Sequence, residues 1–180
     1  MQIRTITSVA IHENYCGSKG GCRDRGLQPL ENDIAVLTVN ESFQFNSFVQ
    51  PVCLPTRSRP YRHDSDVEVS GFGYTTPGKG VMSDRLMGVK VKLFGEGRCP
   101  YYEGLFVEKN MVCAGLTEGG KDSCNGDSGG PLVQFDGEDR AWLLGVVSWG
   151  DKCAAQRKPG VYTKVAFFAD WLRTKGVKTE

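Results

Sequence analysis

The chain has 180 residues, about one domain's worth, and its 39% hydrophobic and 24% charged residues supply a core rather than a disordered tail. Its 22 basic and 21 acidic residues leave a net charge of +1, so no overall field draws it to nucleic acid or membrane. No apolar run approaches the roughly 18 residues of a membrane span.

The first eleven residues alternate, with Ile3, Thr5, Thr7, Val9 and Ile11 set between polar or small neighbours, which predicts a half-buried strand. The segment from Cys16 to Cys22 is a Gly-rich loop bounded by cysteines. Residues 33–39 are nearly all apolar and β-branched beyond Asp33, which predicts a strand with little exposed surface. Pro51, Pro55 and Pro60 interrupt residues 50–62 and make that stretch the candidate linker between two halves. Residues 67–75, 85–94, 131–135, 141–150 and 160–165 read as five short strands separated by Gly, Asp and Ser turns, the layout of a barrel or sandwich. Glu96 to Tyr102 suits a short turn-rich helix. Ala166 to Lys175 suits a helix with Phe168, Trp171 and Leu172 on one face, basic residues in its last turn and Gly176 as its stop. Glycine, 23 of the 180 residues, exceeds the usual ~7% and fits a β-rich, loop-rich fold.

The seven cysteines (16, 22, 53, 99, 113, 124 and 153) are many for a reducing cytosol, and none forms the C-x-x-C pair of a zinc ribbon or thioredoxin-like site. A secreted, disulfide-linked domain is expected, with no metal and no cofactor. The odd count leaves at least one thiol free or bonded outside the chain. The start lacks the continuous apolar stretch of ~7–15 residues that a signal peptide needs. A secreted composition without a secretory signal is the expectation for an incomplete chain. Asn40-Glu41-Ser42 is a glycosylation sequon on Asn40.

The chemistry concentrates in residues 122–131, Asp-Ser-Cys-Asn-Gly-Asp-Ser-Gly-Gly-Pro. Glycines on both sides of Ser128 let the backbone bend sharply and let a substrate carbonyl approach the amides. The N–H groups of Gly126 and Ser128 can then point at one oxyanion. A serine hydroxyl is a weak nucleophile and needs an adjacent base. A surface turn can be built from three or four such residues, but not readily from all ten with these cysteines.

This loop resembles the nucleophile loop of the trypsin/chymotrypsin family of serine endopeptidases, whose Ser-His-Asp triad is a standard template of nucleophilic catalysis. Further resemblances run the length of the chain. Asn32-Asp33-Ile34-Ala35-Val36-Leu37 is similar to the segment that bears the triad aspartate, and Gln50-Pro51-Val52-Cys53-Leu54-Pro55 to the inter-barrel crossing. Ser70-Gly71-Phe72-Gly73 stands where the family has Gly-Trp-Gly, with Phe72 as a departure. Val147-Ser148-Trp149-Gly150 and Lys158-Pro159-Gly160-Val161-Tyr162-Thr163 resemble the substrate-pairing strand and pocket wall.

The resemblance implies an all-β fold: a trypsin-like double Greek-key β-barrel, the first barrel incomplete, with a C-terminal α-helix. Residues 1–50 would be the remnant of the first barrel, 51–66 the crossing, 67–165 the second barrel and 166–180 the helix and tail. It implies Ser128 as nucleophile and Asp33 as the carboxylate that orients the base, although an Asp there can equally cap a turn. Asp122 would lie at the bottom of the specificity pocket, where a buried carboxylate calls for a substrate Arg or Lys. Gly150 and Gly160 would keep the pocket walls open, and Ser148, Trp149 and Gly150 would pair with substrate backbone. Asp127 would pair with the freed N-terminal amine of an activated chain, a role for which Met1 is in the wrong part of the fold.

The family's general base is a histidine in an Ala-Ala-His-Cys-like segment. His12 and His63 both match surface positions instead, so the chain is expected to begin inside the first barrel and to be inactive alone. By the same resemblance the disulfides would be Cys16–Cys22, Cys99–Cys113 and Cys124–Cys153. Cys53 would be left unpaired or linked to a missing segment, as in clip-domain-type invertebrate proteases. Val67 and Gln134 stand near the positions of another common family bridge. Polypeptide substrates and serpin-type inhibitors are the implied partners. The alternatives are a non-catalytic serine-protease homologue acting as a binding or cofactor protein, and a genuine short product starting at Met1.

Overall fold

The computed structural model describes all residues except 18–21, 77–80, 96, 98, 103 and 180. Strands β3 (Asp66–Gly71), β4 (Met87–Phe94), β5 (Met111–Gly115), β6 (Pro131–Phe135), β7 (Ala141–Trp149) and β8 (Gly160–Lys164) form a closed antiparallel barrel in the order β3-β4-β5-β8-β7-β6. β1 (Ile6–Ile11) and β2 (Ala35–Val39) form a separate two-stranded antiparallel sheet, with Ile11 opposite Ala35. The expected all-β, trypsin-like fold is thus present as one closed barrel, a separate two-stranded sheet and a short C-terminal helix.

Period-two alternation explains the barrel core. Val67 and Val69 of β3, Val91 and Leu93 of β4, and Trp142, Leu144 and Val147 of β7 point inward around Leu132 and Tyr162. A Cβ at Gly145 would meet the Tyr162 Cβ at 2.8 Å, so a glycine lets β7 and β8 close over the buried tyrosine. The β3–β6 register pairs Glu68 with Val133 and Val69 with Leu132, a course that runs Val67 toward Gln134.

Several expectations need correction. The barrel has a sixth strand, β5, whose five residues are all buried and so show no alternation to read. The expected helix at Glu96–Tyr102 reduces to a 3-10 turn at Pro100–Tyr102; Glu96 and Arg98 lie outside the described residues, as does the middle of the Cys16–Cys22 loop. The C-terminal helix begins as a 3-10 turn, Val165–Phe168, and continues as α1 (Ala169–Thr174). Phe168 and Leu172 are buried as expected, with Trp171 half-buried at their side.

β1 and β2 are much more exposed than their patterns imply: Ile6, Val9, Ile11 and Leu37 are each more than half exposed. The reason is topological. Each strand has one hydrogen-bonded neighbour, and only the side bearing Ile34 and Val36 meets Phe168, Leu172, Leu143 and Val146 across the barrel wall. His12 is likewise not a surface histidine. It is half-buried, with its ring 5.2 Å from that of Phe168 and 5.0 Å from that of Trp171, and burial lowers its pKa.

The proline-rich crossing forms neither helix nor extended strand. It is held to β7 through the Cys53 N–H donating to Ala141 O and the Leu143 N–H donating to Cys53 O, both at 2.9 Å. No helix among the described residues is long and apolar enough to cross a membrane.

Candidate active site

Asp33 is fixed from three directions. Ile34 plunges into the cluster under α1. On one side, Ser148 Oγ of β7 donates to Asp33 Oδ2 at 2.6 Å; on the other, Thr163 Oγ1 of β8 donates to Asp33 O at 2.6 Å. The preceding Asn32 is buried with φ of 60°, in the left-handed region that asparagine tolerates. Its carboxamide accepts from Asn110 Nδ2 at 3.1 Å and donates to Asn14 O at 3.0 Å. Asn110, buried just before β5, also donates to Glu31 at 3.0 Å and thereby ties the segment leading to Asp33 onto the barrel. Tyr15 is close enough that its hydroxyl pKa is raised, first by burial and then by the Asp33 charge.

The loop with Ser128 is anchored to the neighbouring residue of the same strand. Gly129 N–H donates to Val147 O, and Val147 N–H donates to Gly130 O, both at 2.9 Å. Asp127 folds back beneath the loop, its carboxylate accepting from the N–H groups of Gly73 (2.8 Å) and Cys124 (2.9 Å). A Cβ on Gly71 or Gly73 would collide with that carboxylate, so the two glycines of the Gly-Phe-Gly segment are what this arrangement requires. Phe72 between them is half-exposed. Gly126 has φ of 95°, and a Cβ would press on Gly73 Cα at 3.0 Å. The N–H groups of Gly126 and Ser128 donate to no described residue, and both residues are exposed.

Ser128 and Asp122 line one cleft of about 110 Å³, together with Ser148, Trp149, Gly150, Gly160 and the Cys124–Cys153 disulfide. Asp122 receives the N–H of Ser123 at 2.8 Å and that of Ala154 at 3.2 Å, yet burial outweighs these bonds and pushes its pKa up to about 6. A Cβ at Gly160 would come within 2.8 Å of the Asp122 carboxylate. One at Gly150 would meet nothing nearer than Gly160 Cα at 4.0 Å, and would stand in the cleft itself. On the other side of Asp127, a second cavity of about 270 Å³ is lined by Gly71, Gly73, Lys121, Asp122 and Asp127.

Residues 1–172 match the family model described as Trypsin. The chain belongs to the trypsin family. Among similar trypsin-family proteins, Trypsin-1 of Astacus astacus is 39% identical over 177 residues, covering 98% of this chain and 69% of its own length. Transmembrane protease serine 11C of Mus musculus is 37% identical over 175 residues, with 96% of this chain and 38% of that protein covered. Transmembrane protease serine 11A of Homo sapiens is 37% identical over 174 residues, with 96% and 39% covered. This trypsin-family chain therefore spans about two fifths of the length of the two transmembrane proteases.

The remaining sequence candidates fall as follows. Cys16–Cys22, Cys99–Cys113 and Cys124–Cys153 are bonded, and Cys53 is a free, half-buried thiol. Asn40 is exposed at the end of β2, its Oδ1 accepting from Thr5 N–H at 3.0 Å. Met1 is fully exposed. His12 Nδ1 accepts from Asn14 N–H at 3.1 Å, and His63 Nδ1 from Gly95 N–H at 3.3 Å. No described residue hydrogen-bonds Ser128 Oγ. Sequence reasoning missed Asn110 altogether, and it read Ser148 only as a substrate contact and not as the donor that holds Asp33. Neither lies in a pattern of its own, because both act through contacts far along the chain.

Proposed function

We propose that the chain carries the nucleophile, carboxylate and specificity pocket of a serine endopeptidase that cleaves after Arg or Lys through an acyl-enzyme. Ser128 attacks the scissile carbonyl, the N–H groups of Gly126 and Ser128 receive the oxyanion, and Asp33 orients the base. Ser148, Trp149 and Gly150 pair with substrate backbone. The observation that carries the reading is the shared cleft: Ser128 stands over a largely buried Asp122 between walls that have no side chain at 150 and 160. A substrate guanidinium or ammonium relieves the cost of that buried carboxylate.

The test uses p-aminobenzamidine, a fluorescent aromatic amidinium that needs no catalysis to bind. Saturable binding is expected at pH 8, weakening about tenfold per pH unit below the Asp122 pKa of about 6. Asp122→Ser should weaken it by about 100-fold or more. Equal affinity in Asp122→Ser, or equally tight binding of neutral benzyl alcohol, rejects the assignment.

The general base is proposed to come from a histidine outside these 180 residues, because the rings of His12 and His63 are engaged elsewhere. The purified chain should then cleave no Arg-containing peptide; robust cleavage abolished by Ser128→Ala overturns that. The unserved Ser128 hydroxyl equally favours a second reading, a non-catalytic homologue that binds without cutting. An Ala-Ala-His-Cys-like upstream segment favours the enzyme, and a substituted histidine the homologue.

For Asp127, pairing with a freed N-terminal amine is supported by the adjoining cavity of about 270 Å³, with room for a chain terminus. Cys53 is proposed to bond a cysteine upstream of residue 1 in a secreted precursor, and Asn40 to carry a glycan. Non-reducing peptide mapping of the secreted protein checks both. The segments 1–50, 51–66, 67–165 and 166–180 are the proposed units. Polypeptide substrates and serpin-type inhibitors are the proposed partners.

A further inference from the structure

The chain has asparagines at 14, 32, 40, 46, 110 and 125, and only Asn125 is followed by glycine. The others are restrained. Asn32 and Asn110 are buried and hydrogen-bonded to one another. Asn40 Oδ1 accepts from Thr5 N–H at 3.0 Å, and Asn46 Oδ1 accepts from Phe48 N–H at 2.8 Å. Asn14 precedes the bulky Tyr15, whose N–H is engaged by His12 O at 2.9 Å. The carboxamide of Asn125, by contrast, belongs to an exposed residue and hydrogen-bonds to no described residue.

Asn125 and Gly126 form the centre of a turn that Asp127 N–H closes on Cys124 O at 3.0 Å. Its ends are fixed. Cys124 is bonded to Cys153, and the Asp127 carboxylate takes the N–H groups of Cys124 and Gly73. Its centre is held more lightly. Among described residues the peptide joining 125 and 126 has one hydrogen bond, Tyr74 N–H donating to Asn125 O at 2.9 Å, and Gly126 N–H has none. Gly126 has φ of 95°, which suits the third position of a type II turn, and it has no Cβ to shield its nitrogen.

We propose that Asn125–Gly126 is a site of spontaneous covalent modification that sets a new carboxylate in the wall of the Ser128 cleft. Gly126 N forms a bond to Asn125 Cγ and closes a succinimide ring, while the carboxamide nitrogen leaves as ammonia with the amide proton of Gly126. The attacking nitrogen is already tethered beside the carbonyl, so closure needs no encounter. Solvent water then opens the ring. Opening at Asn125 Cγ leaves aspartate, and opening at the main-chain carbonyl leaves isoaspartate, with the chain running through Cγ. Either product raises the acidic residues from 21 to 22 against 22 basic ones, so the net charge falls from +1 to zero. The new anion lies in a cleft that Asn125 lines together with Asp122 and Ser128. Isoaspartate also lengthens the main chain by one carbon next to Gly126, and so moves an oxyanion donor, a consequence that rests on the protease reading.

The test is incubation of the intact chain in mildly alkaline buffer, followed by mass-spectrometric peptide mapping and methylation by an isoaspartate methyltransferase. Conversion at Asn125 should be at least about tenfold faster than at any other asparagine, because only its neighbour lacks a side chain. The folded chain should convert within about tenfold of the rate in urea, since one hydrogen bond restrains the peptide. Asn125→Gln should abolish the more acidic species seen on ion exchange. In amide-resolved NMR of the isoaspartate form, the Gly126 and Ser128 signals should shift while those of β4 stay. Similar rates at all six asparagines, stronger protection by folding, or an acidic species that persists in Asn125→Gln overturns the proposal. Unmoved Gly126 and Ser128 signals overturn its consequence for the oxyanion. Binding of p-aminobenzamidine is read separately: binding without conversion rejects this site alone, and conversion without binding rejects the protease reading alone.

Discussion

The barrel β3–β8 and the sheet β1–β2 are written in the same alternating code, and they end in opposite environments. Val67, Val69, Val91 and Leu93 are almost fully buried, while Ile6, Val9, Ile11 and Leu37 stand more than half exposed. Closure makes the difference. Each barrel strand has a neighbour on both edges and a filled interior, whereas β1 and β2 have one neighbour each and one packed face. Alternation therefore reports that a strand has an apolar side, and topology decides whether anything covers it. The exposed sheet edges and apolar face are also where association between copies would start.

The comparison breaks most visibly under truncation of leucines. Leu144→Ala, in the filled interior, should cost about 2–5 kcal/mol of unfolding free energy. Leu37→Ala, on the open sheet, should cost well under about 1 kcal/mol. Urea titration of both variants checks this, and equal costs would mean that the sheet face is covered.

Asp122 sharpens it next. Its folded pKa is raised from the usual 3.8 to about 6, so the native state holds the proton more tightly than the unfolded chain does. That contribution is fully present below about pH 4 and is lost as pH rises through about 6, a decline on the order of 3 kcal/mol. Denaturation of the chain and of Asp122→Asn on either side of this window should differ by that amount. Identical pH profiles would remove the burial argument.

The join between the two regions comes third. Asn110→Ala removes the donors to Asn32 and Glu31 and should cost about 1–3 kcal/mol. Hydrogen exchange should then accelerate at residues 32–36 while β7 stays protected. Uniform acceleration would mean that Asn110 supports the barrel instead. Smallest of all, Val9→Thr should change stability by less than about 0.5 kcal/mol and should raise solubility in sedimentation runs.

What the sequence disclosed follows from how far each feature reaches along the chain. β3, β4 and β7 were legible because Val, Leu or Trp recur at every second position, and β6 and β8 because short runs rich in apolar and aromatic residues lie between turn residues. β5 was not, because Met111-Val112-Cys113-Ala114-Gly115 is enclosed on every side and has no polar phase. The loop 122–131 announces itself because its glycines, carboxylates and serine are contiguous. Asn110 and Thr163 act on Asn32 and Asp33 across gaps of 78 and 130 residues, and no local pattern marks such a pair. The same holds for His12, whose partners Phe168 and Trp171 come near the other end of the chain.

Strand β7 works as a common ruler. Ser148 holds the Asp33 carboxylate, and the adjacent Val147 holds the loop on both sides of its exchange with Gly129 and Gly130. One peptide unit of β7 thus contributes to the spacing between Ser128 and Asp33, beside the contacts that Thr163 makes to Asp33 and that Asp127 makes within the loop. Strain that slides β7 moves both groups together and preserves their separation. Strain that twists the peptide between residues 147 and 148 alters the separation with little change in packing. A variant in the barrel interior can thus leave stability nearly intact and still misalign the pair, and a badly destabilised one can keep them in register until the strand itself gives way.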